Sequence, residues 1–155
     1  MTETQLQSLN TRIAELALQY AKQKVPYEHR GTTRNGCDCV GLIIGICRDM
    51  GYLEKYVLRQ YNDQWNLHAG AGNHMIKEFE KLCQKIPNGQ ATIGDIAVMW
   101  FGKCPAHCGI IVKPGPVMVH SLMSNRYCKK SLLKNSQWSR RWMATYRLTE
   151  EKLNV

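Results

Sequence analysis

The chain has 155 residues, and 44% of them are hydrophobic, which is enough apolar surface for one compact core. Lys and Arg number 21 against 12 Asp and Glu, so the formal net charge is +9, and polyanions such as nucleic acid, acidic lipid or anionic cell wall are the natural partners. The sequence shows neither the apolar core of a secretory signal nor a stretch as long as a membrane span, so we expect synthesis in the cytoplasm without an export signal.

The N-terminal third predicts two helices. Apolar residues at steps of three and four predict a helix over residues 3–24, which ends before Pro26. After a loop with glycine breakers, a second helix over residues 39–51 is apolar on nearly every side. A helix of that kind is buried, and Gly41 with Gly45 would let a neighbouring backbone approach it closely.

Residues 52–72 lack a clean period and predict an ordered irregular surface segment that could form a groove wall. Its aromatic residues are Tyr52, Tyr56, Tyr61 and Trp65. Helical spacing resumes over residues 75–86 and ends at Pro87. Strands are predicted beyond that point, over residues 93–101, 107–112, 117–122, a short piece near Tyr127, and 143–148. We therefore predict an α+β fold, with helices packed on an antiparallel meander, in one domain over residues 1–155.

Cys39 stands where a polar loop ends and the second predicted helix begins. Unpaired N–H groups and the positive end of the helix dipole favour a thiolate at such a position, which suits a nucleophile. Asp38 just before it is predicted to cap the helix. The seven cysteines are an odd number that cannot all pair, so reduced thiols are the default and a disulfide framework is not expected.

Two histidines follow far downstream on predicted strands, His107 and His120. Each of them, like Cys39, has a structural interpretation when taken alone, as a buried side chain with satisfied polar atoms. A cysteine followed at long range by histidines is typical of papain-like hydrolases, and the combination favours catalysis. Asp95 after Gly94 is predicted to be a turn residue at the start of its strand.

Five motifs, in this order, resemble those of the NlpC-type cell-wall cysteine peptidases. They are Pro26-Tyr27, Asp38-Cys39-Val40-Gly41-Leu42, Gly94-Asp95, His107-Cys108-Gly109-Ile110 and Val119-His120-Ser121. Features that resemble the phage-encoded branch in particular are Gly36-Cys37-Asp38-Cys39, Tyr61, Trp65 and Trp138-Ser139-Arg140-Arg141-Trp142. The resemblance covers residues 25–148 and implies a papain-like hydrolase without cofactor or metal. Such enzymes cut peptidoglycan stem peptides, commonly between D-glutamate and the following diamino acid.

The resemblance also implies roles for four residues. Cys39 matches the nucleophile that forms a thioester, His107 the general base, and His120 the polar residue that orients the base. Tyr27 matches an active-site tyrosine that could help to bind the oxyanion. Val40 stands where the family usually has serine, and Glu28-His29-Arg30 replaces a tryptophan-glycine pair, so substrate preference is open.

Other functions remain open from the sequence. A basic, cysteine-rich module could bind nucleic acid or zinc, with Cys37, Cys39, Cys104 and Cys108 around His107 as ligands, although the spacings are not the usual paired knuckles. A papain-like acyltransferase or deamidase would use the same cysteine and histidine. For the hydrolase, we expect peptidoglycan stem peptides as substrate. We also expect action at the cell wall or periplasm after delivery by a phage tail or secretion apparatus, with an immunity protein as a further partner.

Overall fold

The computed structural model describes residues 3–57, 73–102 and 104–154. The helices in these ranges are α1 (Glu3–Lys22), α2 (Cys39–Asp49), α3 (Asn73–Leu82) and α4 (Glu150–Leu153). The strands are β1 (Thr32–Thr33), β2 (Gly36–Cys37), β3 (Cys83–Ile86), β4 (Ile96–Phe101), β5 (Cys104–Lys113), β6 (Val117–His120), β7 (Lys129–Leu132) and β8 (Trp142–Leu148). Among these helices, none has the length and apolar character needed to cross a membrane.

The described strands form an antiparallel sheet in the order β3-β8-β4-β5-β6-β7, beside a short β1-β2 hairpin. The α+β prediction is therefore confirmed, and β4 to β7 follow the predicted meander. β8 departs from it because it inserts between β3 and β4 and pairs with both, through Cys83↔Leu148 on one side and Val98↔Ala144 on the other.

The predicted helix over residues 75–86 is wrong in its second part. The helix α3 ends at Leu82, and Cys83–Ile86 is the strand β3. Cys83 and Ile86 are three residues apart, a spacing that continues the helical pattern, but main-chain pairing with β8 holds this segment extended. The tertiary partner therefore decides the conformation here.

The sheet carries an apolar layer on each face. The larger layer joins the sheet to α1, α2 and α3, and Cys108, Ile110 and Val112 of β5 belong to it. The smaller layer lies on the other face, and its buried members are Ala97, Met99, Ile111, Met118, Leu133 and Trp138. Alternation along β5 thus assigns neighbouring residues to different layers.

The helix α2 is held close to the loop that precedes it. Its residues from Cys39 to Cys47 are all buried, as predicted. A Cβ at Gly41 would overlap the carbonyl of Gly31, and one at Gly45 would lie 2.7 Å from the carbonyl oxygen of Thr32. The predicted close backbone approach at both glycines is confirmed, and it fixes the start of α2 relative to the β1-β2 hairpin.

A buried ion pair joins the turn before β4 to the middle of the sheet. Arg147 on β8 donates two hydrogen bonds to the carboxylate of Asp95, at 2.8 and 2.9 Å, and Asp95 is 0% exposed. Asn10 of α1 adds a contact of 3.5 Å, and Thr92 N–H donates to Asp95 Oδ2 at 2.9 Å. Asp95 is therefore the predicted turn residue, and it also connects α1, the turn and β8.

The predicted groove wall over residues 52–72 lies mostly outside the described residues, and Tyr61 and Trp65 are among those not described. Tyr52 and Tyr56 are described, and both are half-buried against the larger apolar layer. This matches the structural role of covering a core edge.

Candidate active site

Asp38 fixes the position of the predicted nucleophile. Its Oδ1 accepts a hydrogen bond from Gly41 N–H at 2.7 Å, as a helix N-cap does, which confirms the predicted cap. Its Oδ2 accepts one from Arg30 N–H at 2.9 Å. The same carboxylate therefore binds the preceding loop and the first turn of α2, and it places Cys39 as the first residue of that helix.

The thiol of Cys39 is buried in the larger apolar layer, with 8% of the residue exposed. Its thiol partner is Cys108 on β5, and burial first, then the hydrogen bond to Cys39, raise the pKa of Cys108 well above its usual value. Cys108 therefore keeps its proton and can donate an S–H hydrogen bond to the sulfur of Cys39.

The two predicted histidines meet in a hydrogen-bonded chain across three strands. His107 Nε2 on β5 lies 2.8 Å from His120 Nδ1 on β6, and His120 Nε2 lies 2.7 Å from Ser131 Oγ on β7. When each Nε2–H donates along this chain, Nδ1 of His107 keeps its lone pair and can accept a proton. This arrangement has the direction that a general base with an orienting partner requires.

Burial keeps both rings neutral. The pKa of His107 lies well below its usual value because of burial first, and then because of His120 and Arg141 nearby. Burial and then Lys129 lower the pKa of His120 to about 4. At neutral pH the pair is therefore uncharged, so His107 keeps a free lone pair, and burial makes its protonated ring unfavourable unless a thiolate forms next to it in the same step.

An aromatic cover lies over the histidine pair. The ring of Trp138 is 5.2 Å from that of His107 and 5.1 Å from that of His120, and Phe101 is 6.0 Å from His107. Arg141 stacks over Trp138 and Phe101, at 5.6 Å from each ring centre. The segment after β7 thus shields the pair from water.

The three predicted catalytic residues fall into two groups, Cys39 with Cys108 and His107 with His120. The groups meet β5 at the neighbouring residues 107 and 108. Cys39 contacts Cys108 from the helix side of the sheet. His107 pairs across the strands with Met99 of the smaller apolar layer, so its ring points to that layer. The direct approach of the thiol to His107 stays a prediction, and it requires the ring or the strand end to turn towards α2.

Tyr27 lies beside the segment that leads into α2. It forms an isolated parallel bridge with Cys37, and its N–H donates to the carbonyl of Arg126 at 2.7 Å. Its side chain is half-buried. The structure therefore places Tyr27 near the start of the nucleophile helix, and its role at an oxyanion stays a prediction.

The ligands of the alternative zinc site are distributed among separate partners. Cys37 contacts Cys128, Cys39 contacts Cys108, and His107 contacts His120. In the part of the chain that the structure describes, no three His, Cys, Asp or Glu side chains are grouped so that they could hold a metal ion.

Sequence reasoning missed two members of this site, Ser131 and Cys108 as a partner of Cys39. Ser131 depends on strand register, because β6 pairs His120 with Lys129 and thereby brings Ser131 within reach of His120. Cys108 depends on which face of β5 packs against α2. Trp138 was noticed only within a motif, and its packing against both histidines gives that motif a place in the site.

A capped helix that begins with a cysteine, packed on an antiparallel sheet with a paired histidine, defines a papain-like α+β protein. The NlpC/P60 family model matches residues 24–147, and the chain belongs to this family. Among curated proteins, none matches the sequence.

Solved structures of low sequence identity share the fold. The NlpC/p60 domain of the peptidoglycan hydrolase SagA is 17% identical with a TM-score of 0.61, and the match covers 90% of this chain and 98% of that one. The peptidoglycan hydrolase RipB of Mycobacterium tuberculosis is 16% identical with a TM-score of 0.61, and the match covers 97% and 69%. An NlpC/P60 family protein of Bacillus cereus is 16% identical with a TM-score of 0.64, and the match covers 90% of this chain but only 40% of that one.

Proposed function

We propose that this protein is a cysteine-type peptidoglycan endopeptidase that cleaves amide bonds of the stem peptide. The observation that carries the proposal is the capped start of α2 at Cys39, which contacts Cys108 on β5, the residue next to His107 of the His107–His120–Ser131 chain. Membership of the NlpC/P60 family and the fold shared with two peptidoglycan hydrolases support the same reaction class.

In the proposed reaction, Nδ1 of His107 takes the proton of the Cys39 thiol, and the sulfur attacks the amide carbonyl. The tetrahedral intermediate collapses to a thioester, and His107 returns the proton to the leaving amine. A water molecule then hydrolyses the thioester and regenerates the thiol. His120 holds the ring of His107 in the required tautomer, and Ser131 does the same for His120.

The oxyanion needs hydrogen-bond donors. The backbone N–H of Cys39 at the start of α2 and the hydroxyl of Tyr27 are the proposed ones, and one such donor is typically worth roughly 3 kcal/mol of transition-state stabilisation. The bond between D-glutamate and the following diamino acid is the proposed scissile bond, on the resemblance alone.

The formal charge of +9 suits attraction to anionic wall polymers. We propose that the protein acts at the cell wall or periplasm after delivery by a phage tail or secretion apparatus, where an immunity protein could cover the site. The likeness to the phage-encoded branch stays a prediction.

The test is cleavage of purified muropeptides, followed by mass spectrometry of the products. Cys39→Ala is expected to abolish cleavage, because the proposed attack uses the sulfur at the start of α2, whereas Cys47→Ala, near the other end of the same helix, serves as the matched control. Cleavage by Cys39→Ala at the parental rate would contradict the proposal. Products that carry a transferred acyl group, or a side-chain amide converted to acid, would identify an acyltransferase or a deamidase instead.

A further inference from the structure

Two thiols far apart in sequence meet just ahead of the nucleophile helix. Cys37 Sγ lies 3.6 Å from Cys128 Sγ, although 91 positions separate them, and both residues are 0% exposed. Cys37 ends β2, two residues before Cys39, and Cys128 immediately precedes β7. Neither thiol takes part in the proposed reaction.

The main chain holds this thiol pair in place. Cys37 N–H donates to the carbonyl of Pro26 at 3.0 Å, and Cys128 N–H donates to the carbonyl of Val25 at 2.8 Å. The same short segment therefore positions both cysteines. Ser121, which follows His120, adds a third connection because its hydroxyl donates to the carbonyl of Cys37 at 2.8 Å.

We propose that Cys37 and Cys128 form a disulfide bond when a small-molecule disulfide oxidises them. This bond joins the segment before α2 to the β6–β7 side of the sheet. The sulfurs must approach from 3.6 Å to about 2.05 Å, a change that rotation of the two side chains supplies. Cys39 is left out of this bond because its thiol neighbour is Cys108.

The chemistry of the pair gives the order of events. The hydrogen bond between the two sulfurs lowers the pKa of Cys128 and raises that of Cys37, which favours Cys128 as the attacking thiol. When the chain opens locally around the pair, which is 0% exposed in the folded protein, Cys128 attacks the small disulfide, forms a mixed disulfide and releases one small thiol. Cys37 then attacks the sulfur of Cys128, loses its proton, and releases the second small thiol. Two protein thiols are oxidised and one small disulfide is reduced to two thiols.

The experiment treats reduced, folded protein with oxidised glutathione, blocks the remaining thiols with an alkylating reagent in denaturant, because all seven cysteines are buried in the folded protein, and maps the peptides by mass spectrometry. We expect one cross-linked peptide that joins Cys37 to Cys128, with the other five of the seven cysteines alkylated. We also expect a melting temperature roughly 10 °C higher than in reductant, because the bond closes a long loop of the unfolded chain.

Cys128→Ala should lose the cross-link and the thermal shift, whereas Cys83→Ala, a buried cysteine outside the pair, should keep both. Seven alkylated cysteines after prolonged oxidation, or a cross-link between other cysteines, would overturn the proposal. The map of the unsubstituted protein decides the question even if a variant does not fold. These readouts need no hydrolysis, so failure of the proposed enzyme activity would leave them intact.

Discussion

His107 and His120 are buried rings whose described hydrogen-bonding neighbour is a hydroxyl, Ser131. The charged groups near them, Arg141 and Lys129, are cations that oppose protonation. Protonation of either ring is unfavourable in the folded protein, so the free energy of folding depends on pH.

The pKa of His120 is about 4 in the folded protein, below the value of about 6.5 expected for an unfolded chain. Between those values the unfolded chain binds the proton more readily, so the stability contributed by neutral His120 is present above pH 6.5 and is lost as the pH falls towards 4. From about pH 7 to about pH 4.5, the unfolding free energy of the parent should fall by roughly 2 to 3 kcal/mol more than that of His120→Gln. Urea denaturation at both pH values measures this, and equal losses in the two proteins would contradict it.

Local signals were sufficient to predict that a helix starts at Cys39 and that Asp38 caps it, because a helix start is specified by a few consecutive residues. The histidines could be named from their motifs. Their contacts with Ser131 and Trp138 could not, because these depend on strand register and on the path of the segment after β7. The separation of Cys39 and His107 onto two sides of β5 could not be predicted either, because it depends on which face of this strand packs against α2.

At the level of elements, α2 depends on glycine at its points of contact. Gly41→Ala would drive a Cβ into the carbonyl of Gly31, a backbone atom that cannot rotate away. We expect a loss of roughly 3 kcal/mol of unfolding free energy, the upper part of the usual range for overpacking. Thermal and urea denaturation would measure it. Gly89→Ala is the matched control, because a Cβ there meets nothing within 4 Å, and its change should stay within about 0.5 kcal/mol.

The same elements show which parts of a fold a sequence can specify. The period of α1, and the apolar run of α2 between its cap and Gly51, are internal to each segment, so both helices could be predicted to within a few residues. The strand β3 could not, because its two buried residues, Cys83 and Ile86, also fit a helical spacing. Its conformation comes from β8, which lies about sixty residues further along the chain.

For the whole molecule, the Arg147–Asp95 ion pair is a central connection between β8 and the turn before β4, and Asn10 of α1 contacts the same carboxylate. Arg147→Leu would leave the Asp95 carboxylate buried without its counter-charge, and such a loss costs roughly 3 to 5 kcal/mol. The free energy of unfolding in urea is the measurement. Lys81→Ala removes a surface ion pair with Glu78 and should change stability by less than about 0.5 kcal/mol. A similar effect of both substitutions would show that the buried pair has no special weight.

The position of β8 inside the sheet has a consequence for synthesis on the ribosome. Residues 142–148 are made after β3 and β4, yet both of these strands need them as a partner. The nascent chain can form the β4-to-β7 hairpins before β8 is made, but β3 has no partner in the sheet until translation has passed β8. The sheet can therefore be completed only after residues 142–148 have been made, and any product that stops short of residue 142 would expose the edges of β3 and β4 to aggregation.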